Sequence, residues 1–149
     1  MTAVDDRPTT EIGAARKRKE DRRLITGRTR WTDNIVLPGM LHLAMVRSPF
    51  AHARISGIDS AAAKEAPGVV AVFTGVDIAD IQGVSITAWP LNAEQKTPDH
   101  LPMPSEHVAH AGEIVAVVAA RSAAAARDAA ELVDVDYDEL PAVLDLKEA

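Results

Sequence analysis

The sequence contains no cysteine, and this absence excludes several kinds of site at once. Without thiolates the chain cannot hold an iron–sulfur cluster or a cysteine-bound zinc ion, and it cannot form a disulfide. Aromatic residues are also scarce, at 3%, although hydrophobic residues make up 47% of the sequence. Since alanine supplies much of that hydrophobic fraction, we predict a thin, closely packed core that leaves part of its stability to a partner.

Long hydrophobic runs and an excess of positive charge are missing as well. No stretch approaches the roughly 20 apolar residues that a membrane helix needs, and the polar start MTAVDDRPTTEIG has no apolar signal segment. We therefore expect a cytoplasmic protein with no membrane contact. The formal net charge of -6 argues against nucleic acid as a partner.

The chain of 149 residues has the length of one domain with a short tail. Residues 1–17 are predicted to be a flexible leader, because they are polar and include Pro8. The domain is expected to cover residues 18–149. The basic run at 16–19 is typical either of a docking or nuclear-localisation patch or of a solvated first turn, and the acidic residues that follow favour the turn.

The pattern along the domain predicts an α+β fold. From Trp31 onward the pattern is typical of strands. The first strand is predicted over residues 31–37 and ends at the turn signal Pro38-Gly39. Further strands are predicted at 40–47, 53–59, 69–74, 114–120 and 133–137, and helices at 61–66 and 123–132. Asp59 or Ser60 is expected to cap the first helix, and Ser122 the second. We predict two short-to-medium helices on one side of a small mixed sheet.

Residues 79–111 are predicted to form a long irregular loop. The segment contains four prolines, Trp89 and three of the five histidines, with little periodicity. Loops of this length in compact domains usually have a function or contact another chain. Three of its polar residues, His100, His107 and His110, suggest a metal site. The prolines before His107 make a helix there improbable, and exposed loop histidines explain the pattern better, so no metal ligand is assigned.

The segment around Arg47 and His52 is the most tempting site in the sequence. These side chains could contact substrate, cofactor or a partner. Alternatively, Arg47 forms an ion pair or binds a carbonyl at a strand end, and His52 is hydrogen-bonded in the turn; we favour this structural interpretation.

Other polar positions also favour structural interpretations. Gly112 is expected to serve backbone geometry that a Cβ would hinder. Glu113 could be a general base, but a carboxylate at a strand entrance is more often exposed or ion-paired. Asp134, Asp136 and Asp138 are expected to form a solvated strand face or to meet a basic partner. No catalytic, cofactor-binding or metal-binding residue is assigned. The positions kept as a possible interface or substrate entrance are Arg47, His52, Trp89, Gly112 and Glu113.

Six runs of sequence carry a resemblance to one family. They are 20–28 (EDRRLITGR), 33–41 (DNIVLPGML), 46–55 (VRSPFAHARI), 67–75 (PGVVAVFTG), 111–119 (AGEIVAVVA) and 129–143 (AAELVDVDYDELPAV). In this order they resemble the N-terminal α/β hammerhead domain of the molybdenum-binding large subunit of the xanthine dehydrogenase/aldehyde oxidase family, over residues 18–146. The region that binds molybdopterin in that family is not represented, so the chain is expected to be a split gene product or a fragment.

The resemblance implies a role within a larger enzyme. Such an enzyme would hydroxylate an aldehyde or an N-heterocycle with oxygen from water, using molybdopterin-molybdenum and iron–sulfur clusters, with FAD as an optional further cofactor. The implied partners are a molybdopterin-binding large subunit and an iron–sulfur subunit, with a flavin subunit as an optional third, and this chain alone would be inactive. The alternative is an orphan, non-enzymatic assembly or interaction module. Neighbouring genes that encode a large subunit without its own hammerhead would favour the enzyme component.

Overall fold

The structure is a computed structural model that describes residues 12, 13, 15, 17–84, 94, 100–145 and 147. It divides into two units, Met1–Pro38 and Gly39–Ala149, which are considered separately. The predicted leader, residues 1–17, lies almost entirely outside the described residues and stays a prediction. None of the described helices is long and apolar enough to span a membrane.

The first unit contains helix α1 (Asp21–Ile25) and a 3₁₀ helix at Thr32–Asn34. The strand predicted over residues 31–37 is therefore wrong. The Asn34 side-chain oxygen accepts a hydrogen bond from the Trp31 backbone N–H at 3.1 Å. Because asparagine readily bonds nearby backbone in this way, it favours a local turn over an extended strand.

The described residues of the second unit form six strands and two helices, and most of the predicted elements are confirmed. The elements are β1 (His42–Arg47), β2 (Ala53–Asp59), α2 (Ala61–Glu65), β3 (Val69–Thr74), β4 (His107–Val108), β5 (Ile114–Ala120), α3 (Ala123–Ala130) and β6 (Asp134–Glu139). The short strand β4 was not predicted, because two residues are too few to show an alternating pattern.

The strands form two antiparallel sheets. The first sheet has the order β1-β5-β3, and the second has the order β4-β2-β6. All pairs among the described strands are antiparallel. The α+β class is confirmed, whereas the single mixed sheet is replaced by two sheets. The reason is that β2 pairs with β4 and β6, which lie far along the chain, and strand patterns do not encode such partners.

The central strand of the first sheet is β5. Five of its seven residues are buried, as expected for a continuous apolar strand with a neighbour on each side. One face of this sheet is covered by α3, whose small Ala126 and Ala129 are fully buried. Ser122 caps α3 as predicted, since its Oγ accepts a hydrogen bond from the Ala125 N–H at 3.1 Å.

The core is small and built from alanine and valine, as the composition predicts. Its main cluster consists of Ala63, Val72, Ala116, Val118, Ala129 and Val133. A second cluster of Ala53, Val108 and Val115 is bordered by Phe50 and Tyr137, whose ring centroids are 5.2 Å apart. The N-terminus of α2 is capped by Asp59, whose Oδ1 accepts a hydrogen bond from the Ala61 N–H at 2.9 Å. The side chain of Ser60, the other predicted cap, makes no such hydrogen bond.

Candidate functional site

Arg47 ends β1 and reaches across to the turn that precedes β5. Its Nη1 donates a hydrogen bond to the Gly112 carbonyl at 2.7 Å, although the two residues are 65 positions apart. The β1–β5 register shifts between Val46 and Arg47, and this irregularity marks the end of the regular pairing. Arg47 therefore binds a carbonyl at a strand end, in agreement with the structural interpretation that the sequence favours.

Backbone hydrogen bonds join the same two segments. The Gly112 N–H donates to the Ser48 carbonyl at 2.8 Å, and the Ser48 N–H donates to the Glu113 carbonyl at 2.9 Å. Gly112 has a φ of 90°, a conformation that a residue with a Cβ rarely adopts. The glycine thus allows the tight turn that brings both bonds into place.

Ser48 is a buried polar residue that the sequence analysis did not single out. Its Oγ accepts from the Phe50 N–H at 3.0 Å and donates to the Phe50 carbonyl at 3.1 Å. This pattern is typical of a serine that stabilises a turn two residues ahead. A serine directly before Pro49 was the signal that could have revealed it.

Glu113 is buried, with 6% of its surface exposed, so of the two expected alternatives, exposed or ion-paired, the exposed carboxylate is excluded. Its Oε2 accepts the Ala109 N–H at 2.5 Å and lies 3.7 Å from Nδ1 of His110. The Glu113 N–H donates to the His110 carbonyl at 3.3 Å. The side chain and backbone of Glu113 together close the turn over residues 109–113.

His52 holds the segment that follows the last strand. Its Nδ1 lies 2.8 Å from the Pro141 carbonyl, and its own carbonyl accepts the Leu140 N–H at 3.0 Å. These contacts border an open groove of about 480 Å³, which is also lined by residues 109–111 and 141–144. Arg47, Gly112 and Glu113 thus meet at one turn, and His52 faces the same turn across the groove. Trp89 lies outside the described residues, so its place at an interface stays a prediction.

The histidines of the long segment lie beside this turn. The rings of His100 and His110 have centroids 5.6 Å apart. His100 and the exposed His107 line a cleft of about 360 Å³ that also includes Glu106 and Glu113. In the part of the chain that the structure describes, no group of three or more histidines or carboxylates is arranged to hold a metal ion.

A second polar cleft, of about 400 Å³, lies at the end of β3. Hydrogen bonds from the Thr74 hydroxyl and backbone N–H, both at 2.7 Å, lower the pKa of Asp77, and the nearby positive charge of Lys64 adds to this effect. By accepting these two hydrogen bonds, the carboxylate of Asp77 stabilises the turn that follows β3. Lys64 and Ser60 also line the cleft.

The most unusual surface is the side of the first sheet opposite α3. We call it the outer face, and it consists of Leu43, Met45, Ala71, Phe73, Val117 and Ala119. The strand register aligns Leu43, Ala119 and Ala71 in one row and Met45, Val117 and Phe73 in the next. Leu43 is 63% exposed, Met45 47% and Phe73 44%. This face was not predicted, because apolar residues at successive positions of β1 and β3 indicate strands but do not indicate which side of the sheet is covered.

Residues 26–141 match the family described as aldehyde oxidase and xanthine dehydrogenase, a/b hammerhead domain. The chain belongs to this family. The match includes β1 to β6 and the whole turn around Arg47, Gly112 and Glu113.

The hammerhead is similar to part of several larger proteins. It is 42% identical over 136 residues to the nicotine 6-hydroxylase large subunit of Paenarthrobacter nicotinovorans. It is 38% identical over 120 residues to the xanthine dehydrogenase molybdenum-binding subunit of Escherichia coli O157:H7. These matches cover 90% and 80% of this chain, respectively, but only 16% of each relative.

Solved structures show the same relation. Quinoline 2-oxidoreductase from Pseudomonas putida 86 matches 89% of the hammerhead with a TM-score of 0.81 and 47% sequence identity. CO dehydrogenase from Oligotropha carboxidovorans matches with a TM-score of 0.74 and 38% identity. This chain covers 17% and 16% of those two chains.

The described residues form no site for the metal cofactors of the related enzymes. The chain has no cysteine to ligate an iron–sulfur cluster. The histidines and carboxylates within the described ranges form no metal-binding group. Arg47 and Glu113, the charged side chains at the candidate site, already bind backbone groups of their own chain.

Proposed function

We propose that this chain is a non-catalytic hammerhead component of a multi-subunit molybdenum hydroxylase. It packs on the molybdopterin-binding subunit, while that subunit, an iron–sulfur subunit and a flavin subunit hold the cofactors. The assembled enzyme oxidises its substrate with oxygen derived from water. The hammerhead contributes structure to the assembly and no reacting group.

The observation that carries this proposal is the use of the candidate polar side chains. Arg47 donates to a carbonyl, Glu113 accepts a backbone N–H, and His52 lies within hydrogen-bond distance of a carbonyl. A group that acts on a substrate needs a polar atom directed at the reacting atoms. Here these polar atoms join chain segments, so the site organises the fold.

The substrate class is narrowed by the names of the relatives. Quinoline and nicotine are N-heterocycles, and the proteins named for them are 47% and 42% identical to this chain. Xanthine, for which a relative of 38% identity is named, is also an N-heterocycle, and further relatives are named for carbon monoxide or aldehydes. We favour an N-heterocycle over an aldehyde as the substrate of the assembled enzyme.

Affinity purification from the native host tests this proposal. The tagged chain is isolated, the co-eluting proteins are identified by mass spectrometry, and an unrelated protein with the same tag serves as the control. We expect a molybdenum-binding large subunit and an iron–sulfur subunit in amounts equal to the chain. Recovery of the chain alone would contradict the proposal and leave an orphan interaction module.

A further inference from the structure

The outer face of the first sheet differs in kind from the exposed face of the second sheet. In β6 the outward positions are Asp134, Asp136 and Asp138, all exposed, as expected for a strand with one face in water. In β1 the outward positions include Leu43 and Met45, and in β3 they include Phe73. Apolar side chains in two aligned rows across three strands form a contiguous patch, and patches of this kind mark interaction sites.

We propose that the outer face is the surface by which the hammerhead docks on the molybdenum-binding subunit. This inference rests on the proposed function and names the surface that the proposed function requires. The six side chains of the outer face carry no charge, so the matching surface on the subunit is apolar and closely packed. Exclusion of water from both surfaces supplies the driving force.

The relatives indicate which partner covers this face. This chain corresponds to only 16% of the xanthine dehydrogenase molybdenum-binding subunit and 17% of quinoline 2-oxidoreductase. In such proteins the larger part of the polypeptide lies outside the hammerhead. That remaining part of the polypeptide is what is available to cover the outer face.

The outer face is also continuous with the segment where the family match ends. Arg47 follows Met45 on the same side of β1, and its two guanidinium nitrogens contact the Met45 sulfur at 3.4 Å and the Gly112 carbonyl at 2.7 Å. Gly112 belongs to the turn that lines the groove with residues 141–144. The matched region ends at residue 141, and the side chains of Val143 and Leu144 beyond it are exposed. The outer face and the groove are thus linked through Arg47 and the turn that contains Gly112.

The test introduces a lysine on the outer face and compares the binding of the molybdenum-binding subunit with that of a variant that carries a lysine elsewhere on the surface. Leu43→Lys and Phe73→Lys alter the outer face, and Leu132→Lys is the matched control, because Leu132 is 48% exposed in the connection between α3 and β6. Each tagged full chain is purified from the native host, and the co-purified molybdenum-binding subunit is quantified. We expect at least a tenfold loss for both face variants and less than a twofold change for the control. Thermal unfolding followed by circular dichroism verifies that each variant is folded.

Each outcome has a distinct meaning. Face variants that are folded and retain the subunit overturn the docking surface but leave the proposed function intact. If the wild-type chain captures no molybdenum-binding subunit, the proposed function itself fails. A wild-type homodimer that Leu43→Lys dissociates in analytical ultracentrifugation would assign the face to a second copy of the chain and would also overturn the inference.

Discussion

At the scale of single residues, the contacts around Gly112 explain why charged side chains occur in this part of the chain. Arg47 and Glu113 bind backbone groups of the turn over residues 109–113, one through Gly112 and the other through Ala109. Hydrogen bonds to charged groups contribute about 1.5–3 kcal/mol each when they are protected from water. The buried Glu113 should therefore contribute more to stability than the exposed Arg47.

Glu113→Ala is expected to lower the free energy of unfolding by about 1–3 kcal/mol, because the Ala109 N–H loses its acceptor. Urea denaturation measures the change. Glu106→Ala is the matched control, since the Glu106 side chain is 84% exposed on the same segment. The control should cost no more than about 0.5 kcal/mol. Equal costs for the two substitutions would contradict a structural role for Glu113.

Tyr137 gives a prediction about alkaline pH. Burial raises the pKa of its phenol, and the Ser48 hydroxyl, already bonded to the Phe50 backbone, offsets only part of this effect. Since the raised pKa belongs to the folded state, the stabilisation is complete below the unfolded pKa of about 10. It is lost as the pH rises through the higher folded pKa.

Tyr137→Phe should remove this loss, and denaturant unfolding at pH values from 9 to 11 measures it. Because Tyr137 is the only tyrosine of the chain, the difference between wild type and variant isolates its titration from that of lysine. At neutral pH the variant should be within about 1 kcal/mol of the wild type, because the Ser48 hydroxyl keeps its hydrogen bonds to the Phe50 backbone when the phenol oxygen is removed. Identical pH profiles would refute the assignment.

Individual elements could be predicted where the sequence pattern is local. The bounds of β3 and β5 agree with the predicted strands 69–74 and 114–120, because continuous apolar runs end at clear turn signals there. The cap of α3 was also predictable, since Ser122 acts on a residue three positions ahead. The pairing of β2 with β4 and β6 was not, because it depends on contacts between distant segments.

Gly75 shows how a distant segment is fixed against β3. A Cβ at this position would collide with the carbonyl of Pro104 and approach that of Met103. Gly75→Ala should therefore lower the free energy of unfolding by about 1–3 kcal/mol, the usual cost of overpacking. Gly83→Ala is the control, because a Cβ there meets open space. A chemical denaturation curve for Gly75→Ala that matches the control would show that residues 103–104 shift freely.

At the scale of the whole molecule, apolar and acidic surfaces are separated. The outer face carries Leu43, Met45 and Phe73, whereas the exposed positions of β6 are aspartates. The sequence predicted the acidic face, because aspartates that alternate with valines along β6 indicate which side of the strand is exposed to solvent. It could not predict the outer face, since a strand that is apolar at successive positions does not indicate which side its own domain covers.

We propose that this hammerhead belongs to a molybdenum enzyme and holds no molybdenum itself. The most direct test is the molar ratio of molybdenum to hammerhead chain, measured in the complex purified from the native host and in the chain produced alone in a host that makes molybdopterin. We predict an equimolar ratio in the complex and no molybdenum in the chain alone. A complex without molybdenum, or an isolated chain that carries it in equimolar amount, would contradict the claim.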